Sequence, residues 1–192
     1  MMAGDSCAWS CPWPCACLFF RFAPKMATQT APVSTPENII YTLAGKDTGR
    51  GNLVSISPAV TPANYATEDT FFRKMDSYMI KAKDAGLLNP RSIVVFPEYV
   101  GAWLVAAYAP SSVYTAKNTV GAIARMIMRS PVAFLRGYLE TPSGDRTKGG
   151  VFRMRARLMA DIYHRVFGTL ARKYAVTLVA GSTVLPGSEI RN

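Results

Sequence analysis

Apolar positions along the chain fall into two kinds of run: short uninterrupted ones, and long ones that return every three or four residues. The short runs at 52–57 (NLVSIS), 92–96 (SIVVF) and 176–180 (VTLVA) are rich in β-branched residues and read as strands. The second and third are flanked by helical patterns, which predicts strands buried on both faces, as in a parallel sheet. Between the first two, Phe71, Met75 and Met79 recur at helical spacing. Thr67 can cap that helix, Glu68 and Asp69 suit its positive end, and Gly86 and Pro90 end it. A further helical pattern over 115–129 places Val120, Ile123, Ile127 and Met128 among lysine and arginines, until Pro131 interrupts it. Such a basic amphipathic stretch can bind a membrane surface, but the expectation is a packed helix with one wet side. Turns are expected at 141–145 (TPSGD) and 148–150 (KGG). The longest pattern then runs from Phe152 through Leu158, Met159, Ile162, Tyr163, Val166, Phe167 and Leu170 to Tyr174, a single apolar stripe along one helix.

Strands alternating with helices predict an α/β fold for residues 51–192. Residues 1–50 lack sustained periodicity and are expected to be a disordered leader, with Met26 a candidate for the true start. Composition agrees with a globular protein, 49% hydrophobic and 18% charged. The net charge of +10 would suit a nucleic acid or an anionic membrane, yet arginines such as Arg153, Arg157, Arg165 and Arg172 alternate with apolar residues as solvated faces do. A plain basic surface is therefore expected, with no nucleic-acid partner. All four cysteines, at 7, 11, 15 and 17, precede the first strand, so no disulfide can link the folded part, and a cytoplasmic location is expected. Their spacing lacks paired C-x2-C knuckles and no histidine is near, so neither metal nor cofactor is expected; acylation beside Leu18, Phe19 and Phe20 is the other use open to them. The uncharged stretch at 99–116 contains Pro110, Ser111 and Ser112, so it reads as no transmembrane helix, and no membrane partner is expected.

The candidate chemistry lies where the run 92–96 stops, at Pro97-Glu98-Tyr99. A carboxylate at the end of a fully buried strand is costly to ionise unless partnered, which makes Glu98 a candidate for acid–base work. The alternative is a loop glutamate near solvent. His164, the only histidine, flanks the long apolar stripe and has no assignable serine or cysteine partner, so a surface or packing role is expected. Residues 142–145 (PSGD) lack the G-x-S-x-G elbow, and neither a Walker loop nor G-x-G-x-x-G occurs.

The order of these features, with Val95-Phe96-Pro97-Glu98-Tyr99 and the 172–182 segment ending in Ala180-Gly181-Ser182, resembles the opening half of nitrilase-superfamily (carbon-nitrogen hydrolase) proteins. The resemblance covers roughly 51–192, and residues 189–192 (EIRN) resemble the entry to a further strand of that family. It implies the N-terminal portion of a four-layer α-β-β-α sandwich. It also implies that Glu98 is the general base of a Glu-Lys-Cys triad acting on a small-molecule amide or nitrile, in a protein that forms homo-oligomers when complete. The family's lysine and cysteine belong to later segments. Lys148 and Lys173 do not stand in the lysine's context, and none of the four cysteines matches the nucleophile. The 192-residue chain is accordingly expected to be a partial, inactive domain. A naturally short, non-catalytic relative that regulates a partner is the other expectation.

Overall fold

A computed structural model of the chain describes residues 41–45, 48–142 and 144–185. The four cysteines, Met26 and the strand entry at 189–192 lie outside the described residues. Residues 41–45 and 48–50 are exposed and carry neither helix nor strand.

The runs read as strands form β1 (Leu53–Ser55), β2 (Ile93–Val95) and β3 (Thr177–Val179). They make an all-parallel sheet in the order β1-β2-β3, which is the expected α/β class. Parallel neighbours need crossover connections. The first is helix α1 (Glu68–Asp84). The second is longer and contains a short helix α2 (Ser111–Tyr114), then α3 (Thr119–Arg129), α4 (Pro131–Glu140) and the long α5 (Arg146–Tyr174). The strands are shorter than their sequence runs, although single backbone bonds such as Ile93 N–H to the Asn52 carbonyl at 2.9 Å extend the ladder beyond them, and side chains add to the N-terminal ends. There Ser92 Oγ donates to Asn52 Oδ1 at 2.5 Å and Asn52 Nδ2 donates to the Leu87 carbonyl at 2.7 Å.

Helix α1 follows its sequence signals. Thr67 Oγ1 accepts from the Thr70 N–H at 3.1 Å, Thr70 Oγ1 accepts from the Thr67 N–H at 3.0 Å, and Phe71, Met75 and Met79 are fully buried. Helix α3 begins four residues later than its pattern suggested, because Asn118 Oδ1 accepts from the Gly121 N–H at 2.8 Å and so caps it. Pro131 interrupts α3 as expected and also opens α4 as its first residue, a helix that the sequence pattern did not reveal.

The turn expected at Lys148-Gly149-Gly150 does not exist; these residues lie in the first turns of α5, which Asp145 caps by accepting from the Lys148 N–H at 3.1 Å. The glycines serve close packing. A Cβ at Gly150 would lie 3.0 Å from the Phe134 ring and from the Tyr138 nitrogen, and one at Gly137 would lie 2.6 Å from the Gly150 carbonyl oxygen. Helices α4 and α5 therefore meet backbone to backbone.

One face of the sheet is covered and the other is open. Val54 and Val94, with Leu178 beside them, point into a core completed by Phe71, Met75 and Met79 from α1 and by Met159, Ile162, Val166, Phe167 and Leu170 from α5. The Phe167 ring sits 5.9 Å from that of Phe71 and 5.3 Å from that of Phe96, joining both helices to the end of β2. On the opposite face Leu53, Ile93 and Val179 are 69%, 43% and 48% exposed. The expectation that 92–96 and 176–180 are buried on both faces is thus corrected. Each strand alternates, because α1 and α5 both lie on the same side.

Candidate active site

Glu98 lies just beyond the C-terminal end of the central strand. Phe96, the buried residue directly after that strand, donates its N–H to the Val179 carbonyl at 2.9 Å, and Pro97 then leads the chain away from the sheet. The loop over 97–101 is held by the segment leaving β3. Gly181 adopts φ +76°, and a Cβ there would lie 2.1 Å from the Pro97 carbonyl oxygen, so glycine alone permits this approach. Ser182 Oγ accepts from the Tyr99 N–H at 2.9 Å and its carbonyl accepts from the Gly101 N–H at 3.2 Å. From below, the Tyr65 hydroxyl donates to the Val100 carbonyl at 3.0 Å and the Tyr163 hydroxyl to the Ala180 carbonyl at 2.7 Å. Burial raises the pKa of both tyrosines, that of Tyr65 to about 12, so both remain protonated donors at neutral pH.

Tyr99 is left-handed, with φ +60°, although it is not glycine. That conformation costs on the order of 1–3 kcal/mol and is tolerated because the two backbone bonds to Ser182 fix the loop around it. The strain sits next to Glu98. Thr183 Oγ1, in the same segment, is buried without a hydrogen-bond partner among the described residues.

Glu98 itself is exposed and makes no hydrogen bond or ion pair among the described residues. The burial expected around it is therefore absent. The strand end is covered from one side only, and the loop turns the carboxylate toward solvent. A carboxylate in this position can accept a proton from any group brought to the strand ends, where open α/β sheets place their ligands.

The other residues considered from sequence lie elsewhere. His164 is exposed on α5, its ring 6.2 Å from that of Tyr163. Lys148 pairs with Asp145 at 2.9 Å and Lys173 with Asp76 at 2.6 Å, so neither is a partner of Glu98. Among the described residues no cluster of three or more histidine, cysteine or acidic side chains could hold a metal ion. An open depression of about 450 Å³ between α1 and α5 is lined by Glu68, Phe72, Tyr108 and Arg165, and Glu98 does not line it.

Two polar arrangements were missed in the sequence. Asp76, only 8% exposed, accepts from Lys173 Nζ and from the Tyr174 hydroxyl at 2.7 Å, joining α1 to α5. Burial, then the bond to Asp76, pushes the Tyr174 pKa up. Arg155 is not on a solvated face; its guanidinium donates to the carbonyls of Val105, at 3.2 Å, and Ala107. The available signal was position, since Arg155 stands four residues before Met159, in phase with the buried stripe.

Compared with models of known families, with curated proteins and with solved structures, the chain matches none. Among the described residues no helix is long and apolar enough to cross a membrane.

Proposed function

We propose that residues 51–192 are the N-terminal portion of a carbon-nitrogen hydrolase domain of the nitrilase type, in which Glu98 is the general base. The observation that carries this reading is the place of Glu98. It is a free carboxylate at the exit of the central parallel strand, on a strained loop locked to the Gly181-Ser182 segment that the same resemblance picks out. The open apolar face of the sheet, with Leu53, Ile93 and Val179, supports a further layer stacking there, as a four-layer α-β-β-α sandwich requires.

In the complete site Glu98 takes the proton of a cysteine thiol, and the thiolate attacks the carbon of a small amide or nitrile. For an amide, a lysine stabilises the charge on the tetrahedral intermediate while Glu98 passes the proton to the departing nitrogen. Water then cleaves the thioester and returns the thiol. Neither that lysine nor that cysteine stands in family context within the 192 residues, so this chain alone releases no ammonia. The complete protein acts in the cytoplasm as a homo-oligomer, without cofactor or nucleic acid. A second reading, a short non-catalytic relative that covers its open face with a longer partner, draws on the same exposed strands.

The test is ammonia release from a panel of amides and nitriles by the product of the reading frame extended past the codon for Asn192. Glu98→Gln keeps size and hydrogen bonding but removes the base, so turnover should fall by ~10²–10⁴-fold, whereas His164→Gln should leave it near the original. Full activity in Glu98→Gln, or ammonia release by the 192-residue chain, would overturn the assignment.

A further inference from the structure

Helices α3 and α4 carry a surface that the hydrolase reading does not use. The basic stretch was expected to be a packed helix with one wet side, and that side carries exposed aliphatic residues beside its arginines. In α4, Val132, Leu135 and Leu139 are 81%, 56% and 71% exposed, and Arg136 shares their helical face. In α3, Val120 and Met128 are 76% and 80% exposed, while Met126 alone is buried. Met128 lies in the last turn of α3 and Val132 in the first turn of α4, on either side of the non-helical Ser130. Within α4, Val132, Leu135 and Leu139 recur at i, i+3 and i+7 and so share one exposed aliphatic face.

The charges beside this strip are mainly basic, with one acid, Glu140, at the end of α4. Residues 111–139 contain Lys117, Arg125, Arg129 and Arg136 and no aspartate or glutamate. Arg125 is engaged with the Ser112 carbonyl and Arg136 with Glu140, whereas Arg129 has no ion-pair partner among the described residues. The strip is presented on a firm base, because Gly137 and Gly150 let α4 seat directly on the backbone of α5. Since no described helix is long and apolar enough to span a bilayer, the geometry fits lying on a surface rather than crossing it.

We propose that α3 and α4 form an interfacial membrane-binding element. Val132, Leu135, Leu139 and Met128 enter the headgroup–acyl boundary of an anionic lipid surface, and Arg129 and Arg136 meet its phosphates. Charge favours this occupant over a second copy, because residues 111–140 hold four basic side chains against the single acid Glu140, so pairing the face with itself would bring an excess of like charge together.

The test is flotation of the 192-residue chain with vesicles of phosphatidylcholine alone and of phosphatidylcholine mixed with phosphatidylserine, since flotation separates bound protein from aggregates, which sink. The chain should float with the anionic vesicles, less in high salt, and weakly with phosphatidylcholine alone. Leu135→Ser with Leu139→Ser should lower anionic-vesicle binding by at least ~10-fold. Arg129→Gln with Arg136→Gln should lower it on the order of fivefold per arginine. All four residues are exposed, so far-ultraviolet circular dichroism should match the parent chain. No flotation with anionic vesicles, or flotation unchanged by both double variants, would overturn the proposal. So would a strip that instead holds a defined protein in a salt-insensitive complex while ignoring vesicles.

Discussion

Glu98 and Tyr99 are neighbours with opposite constraints: the first is free, and the second is held in a left-handed conformation by Ser182. Replacing Tyr99 with glycine should relieve the local strain yet remove side-chain restriction on the loop that presents Glu98. The buried tyrosines give a residue-scale prediction with a definite sign. Tyr65 is pushed up to about 12 by burial, and Tyr163 and Tyr174 are also raised. A folded-state pKa above the unfolded value of about 10 means that the native state holds the proton longer, so stability is intact below pH ~10 and falls as pH climbs toward 12. Urea titrations across that range should show the midpoint decreasing, with a shallower slope in Tyr65→Phe; a flat profile would contradict it. Asp76→Ala leaves the Tyr174 hydroxyl and Lys173 without their shared acceptor and should cost about 1–3 kcal/mol, read as a lower urea midpoint. Lys173 is partly exposed, which places the loss in the hydrogen bonding of the buried carboxylate more than in the ion pair.

Among the elements, α1 and the stripe of α5 were legible because capping and 3.6-residue periodicity are local properties of consecutive residues. Helix α4 was not, since a proline such as Pro131 can end one helix and open the next, and the local pattern shows only the ending. The glycines of α5 were misread for a related reason. Gly149 and Gly150 look like a turn until α4 is placed against them. Close packing at one glycine and open space at another predict opposite outcomes for the same substitution. Gly150→Ala puts a Cβ against Phe134 and the Tyr138 backbone and should lower the melting temperature by forcing α4 outward. Gly168→Ala, whose nearest neighbour outside its own helix backbone is the flexible end of Arg172 at 3.5 Å, should stabilise by about 0.5–1 kcal/mol. Equal effects at both positions would refute the close-packing role.

At the scale of the whole molecule, the decisive feature is a parallel sheet with one face covered. Leu53, Ile93 and Val179 expose aliphatic surface that parallel sheets ordinarily bury, and this should drive self-association of the isolated chain. Replacing all three with threonine, which keeps β-branching or adds it, should reduce light scattering while leaving circular dichroism unchanged; scattering that does not change would place association elsewhere, α3 and α4 first. Legible from sequence alone were the three strands in order, their α/β class, α1 with its cap, the apolar stripe of α5 and the position of Glu98 at a strand exit, because each depends on residues close together in the chain. Long-range packing set the rest: α1 and α5 share one side of the sheet, Glu98 faces solvent, Arg155 turns inward, and Val132, Leu135 and Leu139 of α4 stay exposed. Hydrophobic runs record that a strand is apolar, but which of its faces meets a partner depends on where distant helices pack.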